Sequence, residues 1–166
     1  ERKRSSQKPF TTSLLQQDAA NRLSYATKKT MMIAQQLYEG IDIKGKGTTG
    51  LVTYIRTDSQ RISDEAQEQG KDFIKENYGE KYYKPYVNAS KKNKKVQDAH
   101  ECIRPTSIGL TPETIKDSLT KDQYKLYKLI WDRFTASMMS DALYDSQTIT
   151  GKVDEYTFKA SGSKMK

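Results

Sequence analysis

The spacing of apolar positions along the chain changes period, and each change marks an element. Residues 1–9 are polar and basic and end at Pro9. From Thr11 a helical pattern begins, with Leu15, Ala19 and Leu23 at four-residue spacing and Thr12 or Ser13 as cap. A break at Ser24-Tyr25-Ala26 precedes a second helix, capped by Thr27, that carries Met31, Met32, Ile33, Ala34 and Leu37 and stops at Gly40. Two helices joined by a tight turn are the layout of a helix-turn-helix. Lys28, Lys29, Thr30 and Gln35 on the second helix would then face phosphates or base edges. Residues 41–50, rich in glycine, read as a flexible loop without the Gly-Lys-Ser/Thr spacing of a nucleotide-binding loop. Leu51-Val52-Thr53-Tyr54-Ile55 is β-prone and alternates its side chains between two faces. A helix-turn-helix followed by a strand suggests a winged-helix arrangement.

A third helix is expected from about Ser63 to Tyr78, with Ala66, Phe73 and Ile74 inward and Gly79 as stop. Around Asp98–Ile103 a short turn or helix is expected, broken by Pro105. Thr111-Pro112 opens another helix, with Leu110 and Ile115 spaced as a hydrophobic staple. Thr120 and Gln123 form a capping box for the longest helix, whose Tyr124, Tyr127, Trp131, Phe134 and Met138 stripe reads as core and not as a cofactor box. After about Asp141 the period becomes two. Ser146–Val153 and Tyr156–Ser161 predict a β-hairpin turning at Asp154-Glu155. Two strands alone are marginal in water, so they need partners, either residues 1–8 or a sheet beyond the ends of the chain. The expected fold is mainly α with a small β part: a strand remnant at 1–8, a mostly helical domain at 9–141 and a hairpin at 142–166. The chain stops without a closing element and reads as a piece of something larger.

Charge adds a partner class. The 166 residues hold 29 Lys+Arg against 21 Asp+Glu, a formal net charge of +8, and the sequence pI is near 9.4. Such an excess favours polyanions, because Lys and Arg displace counterions condensed on phosphates. Lys84, Lys91, Lys92, Lys94 and Lys95 fall in an acid-free stretch beside Tyr78, Tyr82, Tyr83 and Tyr86. That stretch is either a solvated lysine loop or a surface on which unpaired bases stack while lysines follow the backbone. No apolar run reaches a membrane span, and the charged N-terminus does not resemble a signal peptide. One cysteine, Cys102, forms no internal disulfide or cysteine-rich zinc site and fits a reducing, intracellular compartment.

The sequence contains no metal-spaced His/Cys/carboxylate cluster, no Ser-His-Asp arrangement and no dinucleotide fingerprint. Two strings stand out: Tyr54-Ile55-Arg56-Thr57-Asp58-Ser59, and Asp98-Ala99-His100-Glu101-Cys102-Ile103-Arg104-Pro105-Thr106. A tyrosine phenol can attack a phosphodiester. The developing charge suits arginine, whose planar fork donates two parallel hydrogen bonds to phosphate oxygens. An alternating strand puts Tyr54 and Arg56 on one face. His100, the only histidine, can orient a phosphate oxygen or relay a proton, with Asp58 fixing its tautomer. Taken singly, these residues more often mean surface packing, an exposed ion pair or a loop hydrogen bond; the strings are far more specific than their parts.

Gly50 through Ser59 resembles the active-site tyrosine motif of the type IA DNA topoisomerases, the bacterial topoisomerase I family. Asp98 through Thr106 is similar to that family's second signature, in which alanine usually stands where Cys102 does. Pro9 through Ala19 and Lys28 through Gly40 also resemble the family, in the right order, so the likeness runs from about residue 9 to about 145. It implies a helical, winged-helix-related domain that carries the nucleophile, with residues 1–8 and 142–166 as edges of a β-rich arch domain. It further implies Tyr54 as nucleophile, Arg56 as phosphate and transition-state stabiliser and His100 positioning the scissile phosphate, with Asp58, Thr57, Glu101 and Arg104 supporting that network. The partner implied is a single-stranded region of negatively supercoiled DNA in the bacterial cytoplasm and nucleoid; this stretch by itself is expected to be monomeric. Magnesium would be held by an acidic domain N-terminal to residue 1, with no metal ligand in this stretch, so the chain alone should be inactive. A non-catalytic winged-helix DNA-binding module is the alternative; a tyrosine recombinase would need arginines and histidines around a C-terminal tyrosine that this sequence does not have.

Overall fold

The computed structural model describes residues 1–88 and 100–166. Lys91, Lys92, Lys94 and Lys95, and the Asp98-Ala99 start of the expected turn, lie outside the described residues. The chain forms two compact units, Gln7–Met139 and the paired segments Glu1–Ser6 and Ser140–Lys166. Mainly helical structure with a small antiparallel part is what the periodicity led us to expect.

The larger unit begins with α1 (Thr12–Leu23) and α2 (Thr27–Glu39). The cap of α1 is Thr11, one residue before the expected position: its hydroxyl accepts the Leu14 N–H at 3.3 Å. This leaves the Thr12 side chain free for another task. Ser24, in the left-handed region at φ 57°, turns the chain between the helices. Ala26 precedes α2 without a side-chain cap, so Thr27 lies inside the first turn instead of capping it. Leu15 and Ala19 from α1 and Ile33, Ala34 and Leu37 from α2 are buried, whereas Met32 faces solvent.

The glycine-rich segment is not a loop but a two-stranded antiparallel hairpin, β2 (Ile41–Ile43) and β3 (Gly47–Thr49). The alternation of Ile41 and Ile43, with Ile43 buried, gives the hairpin an inner face. Gly45 and Gly47 take the positive φ its turn needs. By contrast Leu51–Ile55 is extended but not a regular strand. Its ladder is reduced to a Val52–Pro105 bridge, and the chain bends at Ile55-Arg56.

Helix α3 (Asp64–Asn77) is capped by Ser63, whose hydroxyl accepts the Ala66 N–H, and Gly79 at φ 105° follows its end. Its Gly70 allows close approach, since a Cβ there would lie 2.2 Å from Met138 Cε. A short α4 (Pro112–Ile115) has Thr111 as cap and proline in its first turn. The capping box of Thr120 and Gln123 is formed at the start of α5 (Lys121–Ser137). From α5, Leu126, Tyr127, Ile130, Trp131 and Phe134 fill the core, and α1 and α2 pack on it. Tyr124 sits at the edge of the stripe, its hydroxyl bonded to Glu113. Residues 100–103 are extended, joined to the N-terminal segment through a Phe10–Ile103 bridge, and do not form the expected turn or helix.

In the smaller unit β4 (Ala142–Val153) and β5 (Tyr156–Met165) pair antiparallel about Asp154-Glu155, with Asp154 at φ 51°. The third strand is β1 (Arg2–Arg4), in the order β1-β4-β5. The N-terminal residues thus supply the partner that a lone hairpin requires.

Candidate active site

The tyrosine segment is held by side chains that replace the missing ladder. The Thr12 hydroxyl donates to the Ile55 carbonyl at 2.7 Å and accepts the Thr57 N–H at 2.9 Å, while the Thr12 N–H donates to the Thr57 carbonyl at 2.9 Å. The first turn of α1 therefore grips the backbone on both sides of Arg56. Thr53 does the same on the other flank. Its hydroxyl donates to the Cys102 carbonyl at 2.8 Å and accepts the Arg104 N–H at 3.0 Å, and its N–H donates to the Arg104 carbonyl at 2.9 Å. Thr106 adds a bond from its N–H to the Leu51 carbonyl. Through these bonds the second string, distant in sequence, lies antiparallel beside the first. Beyond Thr57, hydroxyls make local turns: Thr57 Oγ1 accepts the Ser59 N–H and Ser59 Oγ accepts the Arg61 N–H.

On this frame Tyr54, Arg56 and Asp58 are exposed, while Ile55 and Ser59 are buried. Alternation of exposure thus survives the bend. The Tyr54 ring, 37 % exposed, has two aromatic neighbours. His100 lies 4.7 Å away between ring centroids at an interplanar angle of 33°, and Tyr38 lies 5.8 Å away at 70°. Asp58 departs from expectation: among the described residues no hydrogen bond or ion pair joins it to His100, because the local turns leave its carboxylate on the surface while the imidazole lies on the Tyr54 ring.

Glu101 and Arg104 form a two-pronged pair, Nη2 to Oε2 at 2.7 Å and Nε to Oε1 at 3.2 Å. Glu101 Oε1 also accepts the Ser63 N–H at 2.6 Å. Burial pushes the Glu101 carboxyl up, but the Arg104 guanidinium and the Ser63 N–H outweigh it and hold it below the usual carboxylate range. This pair ties His100's own strand to the start of α3 and has little capacity left for a phosphate. Cys102 is fully buried, and burial pushes its thiol up to about 12. It is a small core residue.

The expected DNA-contact residues on α2 divide. Lys28 is exposed. Lys29 pairs with Asp122 at 2.7 Å and lies 4.3 Å over the Tyr25 ring, and Gln35 donates to Glu39. Thr30 does not face a ligand at all: it is fully buried, its hydroxyl donating to the Ala26 carbonyl, because this side of the first turn faces the core. Sequence reasoning overlooked Thr12, Thr53 and Tyr38. All three lie within or beside the strings quoted above, yet nothing in residue type alone separates a gripping threonine from a helix cap. No group of three or more His, Cys, Asp or Glu among the described residues could hold a metal, and no helix among them is long and apolar enough to cross a membrane.

The fold has known counterparts. The full-length topoisomerase I of Thermotoga maritima is similar over 99 % of this chain at 41 % identity and a TM-score of 0.84. The match spans only 26 % of that protein, so the chain corresponds to about a quarter of its length. A family model described as DNA topoisomerase matches residues 1–166. With its paired strings and its fold, the chain belongs to the bacterial DNA topoisomerase family.

Proposed function

We propose that this chain carries the strand-cleaving nucleophile of a type IA topoisomerase acting on a single-stranded region of negatively supercoiled DNA. The observation that carries this reading is Tyr54: an exposed phenol on a backbone gripped by Thr12 and Thr53, stacked with His100, two residues before an exposed Arg56. The Tyr54 oxygen attacks a backbone phosphorus, forming a tyrosyl ester to the 5′-phosphate as the bond to the 3′-oxygen breaks. The phenolic proton is given up and the 3′-oxygen leaves as a hydroxyl. One phosphoester replaces another, so resealing is the same step reversed and needs no nucleotide. Arg56 neutralises charge gathering on the phosphoryl oxygens, and His100 orients the phosphate at the edge of the nucleophile.

In this reading residues 1–8 and 142–166 belong to the arch domain, Lys28, Lys91, Lys92, Lys94 and Lys95 follow the DNA backbone, this chain by itself is monomeric, and the enzyme works in the bacterial nucleoid. Magnesium is held by residues of the remaining enzyme. The residues described here do not fit it: Glu101 is engaged by Arg104 and Ser63, and no group of three or more His, Cys, Asp or Glu among the described residues could hold a metal. The test is an enzyme uniting this chain with the remaining domains, given magnesium and an end-labelled single-stranded oligonucleotide. A covalent adduct that Tyr54→Phe abolishes is expected on denaturing gels, linked through the 5′-phosphate; a 3′-phosphoryl linkage overturns the assignment. The isolated chain is expected to leave supercoiled plasmid unrelaxed.

A further inference from the structure

We infer that Tyr38 is a positioning residue for the nucleophile, its ring setting the Tyr54 ring against His100; the inference rests on the function proposed above. Tyr38, at the end of α2, is 39 % exposed, so burial alone gives little reason for a large aromatic there. Its hydroxyl has no hydrogen-bond partner among the described residues, so the ring is what the site uses. Tyr38 meets Tyr54 at 5.8 Å and 70°, an edge contact of the kind aromatic pairs favour. Tyr54 in turn meets His100 at 4.7 Å. The ring contacts thus run Tyr38–Tyr54–His100, a row in order of contact with the nucleophile as its shared member.

The backbone makes this row a built feature. The Leu51 N–H donates to the Leu37 carbonyl at 2.7 Å, fastening the end of α2 to the start of the tyrosine segment. Gly50 permits the approach, since a Cβ there would lie 2.9 Å from the Tyr38 carbonyl oxygen. With the Ile41–Thr49 pairing of the hairpin, this bond closes the base of the 41–49 segment and brings the Tyr38 and Tyr54 backbones side by side. An exposed tyrosine on an extended segment otherwise samples three χ1 wells. Contact with Tyr38 on one side and His100 on another narrows that choice, and a nucleophile displaced by an ångström loses rate steeply.

The experiment uses the full-length enzyme carrying this chain, with Tyr38→Leu and Tyr38→Phe. Two readouts are taken: single-turnover cleavage of a saturating single-stranded oligonucleotide, and the His100 imidazole resonance without DNA, assigned by its loss in His100→Gln. Tyr38→Leu is expected to slow cleavage about fivefold at unchanged oligonucleotide affinity, the change in population when one aromatic contact is lost. It should also move the His100 resonance as the Tyr54 ring current shifts. Tyr38→Phe should restore both. The inference is overturned if Tyr38→Leu leaves the resonance in place, if Tyr38→Phe is as slow as Tyr38→Leu, or if the loss lies wholly in affinity. Failure of the functional reading looks different: the wild-type enzyme then forms no Tyr54 adduct, while the resonance still reports on the ring row.

Discussion

The Tyr54 and His100 rings lie 4.7 Å apart at 33°, closer to stacked than to edge-on, although they come from two segments far apart in the sequence. Their meeting is enforced by backbone and not by the rings: Thr53 bonds the Cys102 carbonyl and both backbone groups of Arg104, and Val52 pairs with Pro105. The histidine is therefore delivered to the nucleophile by a two-stranded splice whose bonds lie one to five residues away.

His100→Ala is expected to reduce the rate of adduct formation by ~10²-fold, the scale typical of a lost acid–base or phosphate-orienting group. Folding should be little affected, since His100 is exposed. Single-turnover cleavage beside a thermal melt separates the two, and an unchanged cleavage rate would remove His100 from the site.

Thr12→Val preserves shape but removes the hydroxyl that serves Ile55 and Thr57. Leaving those groups without a partner should cost about 1–3 kcal/mol. The Thr57 amide should exchange with solvent faster and cleavage should slow, with Thr12→Ser recovering most of both. Denaturant titration and hydrogen exchange are the measurements.

Glu101 has a folded-state carboxyl pKa below its ordinary 4.5. A depressed carboxyl adds stability that is fully present above the unfolded value and is lost as pH falls through the folded one. The unfolding midpoint should therefore decline on acidification below about 4.5, and Glu101→Gln, less stable at neutral pH, should show a shallower decline there. Equal slopes for the two proteins would contradict the Arg104 pairing.

Gly70→Ala places a methyl group where Met138 Cε and Sδ already lie, 2.2 and 2.7 Å from the new carbon. Overpacking of about 1–3 kcal/mol outweighs the gain in helix propensity of roughly 1 kcal/mol. Met138→Ala alone opens a cavity in the core, costing about 2–5 kcal/mol. The double variant should lose less than the sum of the two, because each change relieves the other. Urea midpoints at constant slope test this.

What the sequence alone determined is whatever depends on near neighbours. The α5 stripe, the Thr120–Gln123 box, the Thr111-Pro112 start and the turn at Asp154-Glu155 are set by interactions within a few residues, and the periodicity showed them all. The two strings could also be read, because they are specific as strings. Only the tertiary structure decided which backbones lie side by side. It spliced the His100 string to the Tyr54 segment, drew Tyr38 to the nucleophile through the Leu37–Leu51 bond, turned Thr30 inward and left Asp58 without a bond to His100. A threonine reads the same whether it caps a helix, as Thr11 does, or grips a distant carbonyl, as Thr12 does. The difference is made by where the far segment arrives, and that is fixed by burial of the whole core and not by any local preference.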